Sequence, residues 1–411
     1  MNNDCPEVHV LLLTEWCDSM PTKMILQGRA WLATGAAVGL VLGISGCGSN
    51  AGSGTGSGNS QSATVNAQIV QKCDSMLKEA RQPLTWKAPG PGIATGTLKG
   101  KRIVFVSLDQ SVPAIAQAAS ATSEAAKLVG LDVSVYDTKG NVTRMQQGIQ
   151  QAIDTKASAI ILLGIPLEPT AAVLKKAKDA GITVVSELSN QPDKGKPGQG
   201  AGASVFGSTG PSRTVSGELM ACKAVVDTKG KANALIFGVD ELKEAAPPQV
   251  AGMEEILNQC GGCKYDKNST AVAAWQTELP SKASSVILSD PSVNYLLPLY
   301  DGMALFMVPG VQRSGAADRV KIVSFNASPA ALSLINQGSP LVADPGQPTT
   351  WMAWQGVDQA MRGMLGLEPG DPVVPIRFFD KENLSGVDVK SEDALFGTEY
   401  KAGFKALWSV A

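Results

Sequence analysis

Between residues 101 and 186, short apolar runs alternate with helical stretches, and this pattern leaves the chain few folds to choose from. The runs read IVFVSL at 103–108, LDVSVY at 131–136, ASAIILL at 157–163 and ITVVS at 182–186. Helical patterns lie between them at 114–129, 142–155 and 169–180, and Gly130 and Gly181 close the first and last. Brief apolar runs read as strands buried on both faces. Strands that alternate with helices build a parallel sheet covered on both sides.

A polar loop, NQPDKGKPGQGAGA, follows at 190–203, and then the alternation starts again. Strands are predicted at 204–206, 233–237, 264–265, 293–297, 320–325 and 341–343, with helices at 211–226, 246–259, 279–289, 301–311, 330–337 and 350–365. The fold class is therefore α/β, with two doubly wound parallel-sheet lobes in series. Ligands of such sheets bind beyond the carboxyl ends of the strands, and two lobes that face each other form a cleft able to close by hinge motion. A helix at 64–81, ended by Pro83, and an irregular stretch to residue 98 precede the first strand. A tail at 386–411 follows, in which Phe404, Leu407 and Trp408 are expected to pack onto a lobe.

The chain upstream of this body has a different character. WLATGAAVGLVLGIS at 31–45 follows Lys23 and Arg29, as in a secretion signal. The run is shorter than the roughly 20 residues that span a bilayer. Its end, Ile44-Ser45-Gly46-Cys47, resembles the bacterial lipobox. That resemblance implies cleavage before Cys47, lipidation of its thiol, and an extracytoplasmic body anchored to the cell membrane. Residues 47–63 then form a Gly/Ser tether, and two or more acyl chains give stable attachment. Residues 1–19 fit no signal, and Met20 or Met24 is the better start.

Composition removes several chemistries. A net charge of -2 gives no reason to expect nucleic acid. The one histidine, His9, lies ahead of the signal, which leaves the exported body without Ser-His-Asp or Cys-His catalysis and without most zinc sites. Neither a Gly-x-Ser-x-Gly elbow nor a phosphate-binding loop is present. The expectation is a monomeric binding protein with no enzymatic activity, cofactor or metal. Cys73, Cys222, Cys260 and Cys263 are an even set in an oxidising compartment. Cys260-Gly-Gly-Cys263 ends a helical stretch instead of opening one, so it reads as part of a structural disulfide framework, with the pairing left open.

Four stretches carry a family resemblance: KRIVFVSLDQSVPAI, VYDTKGNVTRMQQGIQQAI, LSDPSVNYLLPLYDGMA and VKIVSFNASPAALSLINQGSPLVADPGQ. Together they resemble the type I periplasmic solute-binding fold, shared by ribose-type sugar-binding proteins and the ligand domains of LacI-type repressors. The resemblance runs from residue 101 to about 379 and implies a multi-crossing hinge, with crossings near Asn190, Gln347 and Pro372. Lobe 1 is then 99–190 with 348–371, and lobe 2 is 191–347 with 372–385.

The resemblance further implies an ABC importer's solute-binding lipoprotein that delivers a sugar or sugar-like solute to a permease. A sensor for a membrane receptor, or an importer subunit for a small aromatic acid, are the alternatives. Carried over position by position, the ligand contacts are Asp109, Gln110, Ser111, Glu187, Asn190, Gln249, Tyr300, Asp301, Asn326 and Gln347. Three departures weaken the sugar reading. Asn326 stands where sugar binders have Asp, Glu187 to Asn190 replace an Asp-Arg pair, and Gln249 stands where Arg is common. Arg213 is the nearby cation able to face the cleft. Trp275 reads as core; bordering the cleft for Trp351 and reaching its mouth for Trp86 are the lesser alternatives.

Overall fold

The computed structural model describes residues 57–189 and 200–410. Cys47 and Asn190 lie outside the described residues. The chain enters through α1 (Ser57–Ala80), which begins inside the stretch read as tether. It then alternates β1 (Arg102–Ser107), α2 (Pro113–Leu128), β2 (Asp132–Asp137), α3 (Val142–Asp154), β3 (Ala159–Leu163), α4 (Ala171–Asp179), β4 (Thr183–Glu187) and β5 (Gly207–Pro211). A second series follows: α5 (Arg213–Asp227), β6 (Asn233–Gly238), α6 (Ala246–Gln259), β7 (Lys264–Ser269), α7 (Trp275–Ser289), β8 (Tyr295–Pro298), α8 (Asp301–Arg313), β9 (Lys321–Val323), α9 (Pro329–Asn336) and β10 (Leu341–Gly346). The last part comprises α10 (Thr349–Met364), β11 (Val373–Val374), β12 (Arg377–Asp380), α11 (Lys381–Leu384), α12 (Glu392–Phe396) and α13 (Glu399–Leu407).

Among the described residues these strands form two six-stranded sheets, ordered β11-β5-β4-β3-β1-β2 and β12-β10-β9-β8-β6-β7. The pairings are parallel except that of β10 with β12. Central strands such as β3 and β4 are buried along their length, as their apolar runs require. The edge strands β2 and β7 are polar and partly exposed, which discourages pairing with other chains.

Two of the three expected crossings move. The loop at 190–203 reads as a linker between lobes, but it joins β4 to β5, and β5 pairs with β4 in the first sheet. The chain leaves that sheet only after Pro211, where α5 packs on the second lobe. The strand was misplaced because GSTGP has little β-propensity of its own; its pairing with β4 and β11 makes it a strand. Likewise β11 still pairs with β5, so the crossing expected near Pro372 falls between Val374 and Arg377. Gln347 falls between β10 and α10.

These crossings fix how the lobes face. The chain passes from the carboxyl end of β5 into α5, and from the carboxyl end of β10 into α10. The carboxyl edges of the two sheets therefore meet at the hinge. β12 enters its sheet from that edge, with Arg377 opposite Gly346, and so must run antiparallel to β10.

Both terminal extensions also run from one lobe to the other. α1 is joined to α5 by the Cys73–Cys222 disulfide, and the Arg81 guanidinium pairs with Asp380 at 2.6 Å, both on the second lobe. The chain then reaches the first lobe, where Ile93 N–H donates to the Leu407 carbonyl at 2.9 Å and the Thr95 hydroxyl to the Trp408 carbonyl at 3.2 Å. From the other end, Leu395 and Phe396 pack in the second lobe's core, while Tyr400, Phe404 and Trp408 pack in the first lobe's. Trp351 stacks on Tyr400 at 5.3 Å, and Trp86 meets Phe404 edge-on at 5.9 Å. Both tryptophans serve this terminal cluster and not the cleft for which they were considered. The Cys260–Cys263 disulfide closes the end of α6.

Candidate functional site at the facing strand ends

The site is built where the carboxyl edges meet. After β1, the chain turns through Asp109, Gln110 and Ser111. The Asp109 carboxylate accepts from Ser111 N–H at 2.8 Å, and hydrogen bonding from the Ser111 hydroxyl first, and from this N–H second, holds its pKa below the ordinary value. Asp137, at the end of β2, accepts from Gln110 N–H at 3.2 Å. Both carboxylates shape the loop, and the Gln110 side chain is left with a buried Nε2 that has no partner. Ser111 is exposed. After β4, Leu188 takes a positive φ of 66°, a costly conformation for a branched residue, held by its N–H bond to the Thr209 carbonyl at 3.1 Å. Ser189, next in line, also carries a buried hydroxyl without a partner.

Glu187 does not join this group. Side chains alternate along a strand, so Glu187 shares the face of Val185 and points into the layer beneath α10. Its carboxyl lies against Gly356, where a Cβ would sit 1.8 Å from Oε1. Both oxygens are buried and unpartnered, and burial raises the pKa to about 8.

On the second lobe, α5 and α6 touch backbone to backbone. A Cβ at Gly217 would lie 2.0 Å from the Gln249 carbonyl, and one at Gly252 would lie 2.1 Å from that of Thr214. This contact sets Gln249 beside the start of α5. Its Nε2 donates to the Leu299 carbonyl at 3.0 Å, bracing the turn after β8, while Oε1 is buried without a partner. Ser212 caps α5 by accepting from Val215 N–H at 3.2 Å, and Arg213 follows as the first helical residue. The guanidinium lies 5.9 Å from the Tyr300 ring centre and 5.5 Å from that of Phe325, at the ends of β8 and β9.

Asp301 faces inward, away from the cleft. It accepts from Ser324 Oγ at 2.9 Å and from Ser328 N–H at 2.7 Å. Asp344 of β10 lies within reach of the same Ser324 hydroxyl, at 3.3 Å. Burial raises the pKa of both carboxyls, and the facing charge of Asp301 raises Asp344 further. The pair pins the loop after β9, where Asn326 and Ala327 have φ of 137° and 54°. Asn326 is exposed at the tip of that loop. Gln347, at the second crossing, is buried with an unpartnered Oε1.

Gln110, Tyr300, Asn326 and Gln347 thus stand at the facing edges, while Asp109, Gln249 and Asp301 brace the loops that present them. One residue was undervalued from sequence. Trp275 is half-buried at the start of α7, its Nε1 donating to the Thr270 carbonyl at 3.1 Å and its ring over Gly302, next to Tyr300. It stands at the carboxyl edge because α7 begins one turn earlier than predicted, with Pro280 inside the helix. Arg213, singled out from sequence as a cation able to face the cleft, opens α5 beside Tyr300.

Two parallel-sheet lobes whose carboxyl edges face across several crossings define a hinged solute-binding scaffold. The family profile of the periplasmic binding protein domain matches residues 103–366, and the chain belongs to that family. The D-ribose/D-allose-binding protein of Pseudomonas aeruginosa is 26% identical over 245 residues, 57% of this chain and 70% of that protein. The D-apiose import binding protein of Actinobacillus succinogenes is 24% identical over 260 residues, 63% and 80% of the two chains. In structure, the chain is similar to a 5-methylthioribose transporter solute binding protein from Thermotoga lettingae. That match has a TM-score of 0.63 at 19% identity and covers 77% of this chain and 99% of the other.

Proposed function

We propose that the chain captures a small, hydroxyl-rich solute between its lobes and delivers it to an ABC permease, with a lipid on Cys47 holding it at the membrane. One observation supports this most. Among the buried polar atoms lacking partners, four belong to residues beyond strand ends or at the crossing: Gln110 Nε2 and Ser189 Oγ on one lobe, Gln249 Oε1 on the other, and Gln347 Oε1 at the crossing. A buried donor or acceptor left alone costs about 1–3 kcal/mol. Several at such positions are expected where a solute supplies the missing partners. The names of the relatives, which bind or import ribose, allose and apiose, point to a sugar-like solute.

In this reading Gln110 and Gln347 bond to solute hydroxyls, Asn326 adds a contact from its loop, and Tyr300 and Trp275 face the solute's apolar side. A solute touching both edges favours the closed form, which a permease would recognise. A panel of sugars and polyols is expected to raise the melting temperature saturably, since a ligand bound only by the native state stabilises it. Asn326→Ala should weaken the effective sugar without changing the melting of the free protein. Unchanged affinity removes Asn326 from the contacts, and a panel without any effect removes the reading.

A further inference from the structure

We infer that the solute taken by this cleft carries a carboxylate, and that Arg213 binds it; this rests on the proposed solute-capture function and specifies its ligand. Arg213 is only 6% exposed, and its Nη1 is buried without a hydrogen-bond partner. No ion pair joins it to any acid among the described residues. The acids at the cleft are engaged elsewhere: Asp301 and Asp344 with Ser324, and Asp109 with Ser111.

A buried charge is stable only when paired or neutralised. A carboxyl can neutralise itself by keeping its proton, as Glu187 does. A guanidinium has no such recourse, because it stays protonated at any pH the fold survives. The Tyr300 and Phe325 rings attract its charge but offer no acceptor for its N–H groups. A neutral hydroxyl would satisfy an N–H and leave the charge uncompensated. A planar carboxylate would satisfy both, through two parallel N–H···O bonds at one edge of the guanidinium. One uncompensated positive charge calls for one negative charge, so a sugar acid fits better than a doubly charged phosphate ester. Sequence reasoning placed an amide, Gln249, where sugar binders often carry arginine; here the cation stands one helix earlier.

The test uses the full-length protein and matched pairs: D-ribose and D-ribonate, D-allose and D-allonate, D-glucose and D-glucuronate, with ribose 5-phosphate as the doubly charged control. The acid of at least one pair is expected to bind about tenfold or more tightly than its neutral partner, as a charge-assisted pair does. Arg213→Gln should abolish that preference, lowering affinity for the acid by about tenfold or more. Arg213→Met, which keeps the apolar packing and removes the charge, should leave ligand-free melting unchanged or raise it. A fall in ligand-free melting would mean that the guanidinium already has a partner, and would overturn the inference whatever binds. Tighter binding of the neutral members, unaffected by Arg213→Gln, would overturn it too, as would preference for the phosphate. If nothing binds but Arg213→Met still raises melting, the unpaired charge is supported and the sugar framework is what fails.

Discussion

Among the described residues two arginines are buried, and their surroundings are opposite. Arg362, 3% exposed, lies on α10 under the terminal cluster. Its Nε pairs with Asp358 at 2.7 Å, and its Nη2 donates to the Pro91 carbonyl at 2.9 Å. The other oxygen of Asp358 accepts from Trp408 Nε1 at 2.9 Å, so a charge pair ties both terminal extensions to the first lobe. Arg213, at the hinge side of the second lobe, has rings beside it and no ion pair with an acid among the described residues. Under the terminal cluster the buried guanidinium is paired with an acid of the same helix; at the hinge side of the second lobe it is not.

The contrast can be broken most forcefully at Asp358. Asp358→Ala strands the Arg362 charge, and the expected loss of stability is about 3–5 kcal/mol in denaturant unfolding. Adding Arg362→Met should recover much of it. If the single substitution costs no more than the double, Arg362 is not dependent on its partner and the contrast with Arg213 collapses.

The terminal helix offers a second test. Replacing Cys73 and Cys222 together by Ser frees α1 from α5 and opens a loop of 149 residues, for an expected loss of about 2–5 kcal/mol. Solute affinity should stay near wild type, because Cys222 lies in the second half of α5, away from Arg213 at its start. A large loss of affinity at full folding would put the extension into the binding cycle.

Glu187 lies between the two cases, as a buried acid that solves its isolation with a proton. Its folded pKa, about 8, is raised above the ordinary 4.5, so the folded protein keeps a proton that the unfolded chain releases. Stability from this group is therefore full below about pH 4.5 and falls as pH rises toward about 8. Asp301 and Asp344 act in the same direction, so the informative quantity is the difference between wild type and Glu187→Gln. That variant should lose less stability over this window, by up to a few kcal/mol. Parallel curves would show that Glu187 has a partner in solution.

How far the sequence reaches can be seen residue by residue. β3 and β4 were legible because strands buried on both faces are nearly uniform in apolarity. β5, GSTGP, was not, since only its neighbours make it a strand. That error moved the first crossing, while Arg213, already legible as a cation able to face the cleft, opens α5 at the rim. Gln110 and Gln347 were legible from their places after a strand and at a crossing. Glu187 was legible in principle, because the period-two alternation assigns it to the face of Val185. The inward turn of Asp301 was not, because it depends on Ser324, Ser328 and Asp344 meeting in space.

The most direct measurement is a calorimetric titration of the full-length protein with the most effective solute of the panel, repeated on Gln347→Ala and Gln110→Ala. One solute per chain should bind, and each substitution should weaken it about fivefold or more without lowering the melting temperature of the free protein. Undiminished binding in both variants would place the solute elsewhere and contradict a cleft built from the two facing edges.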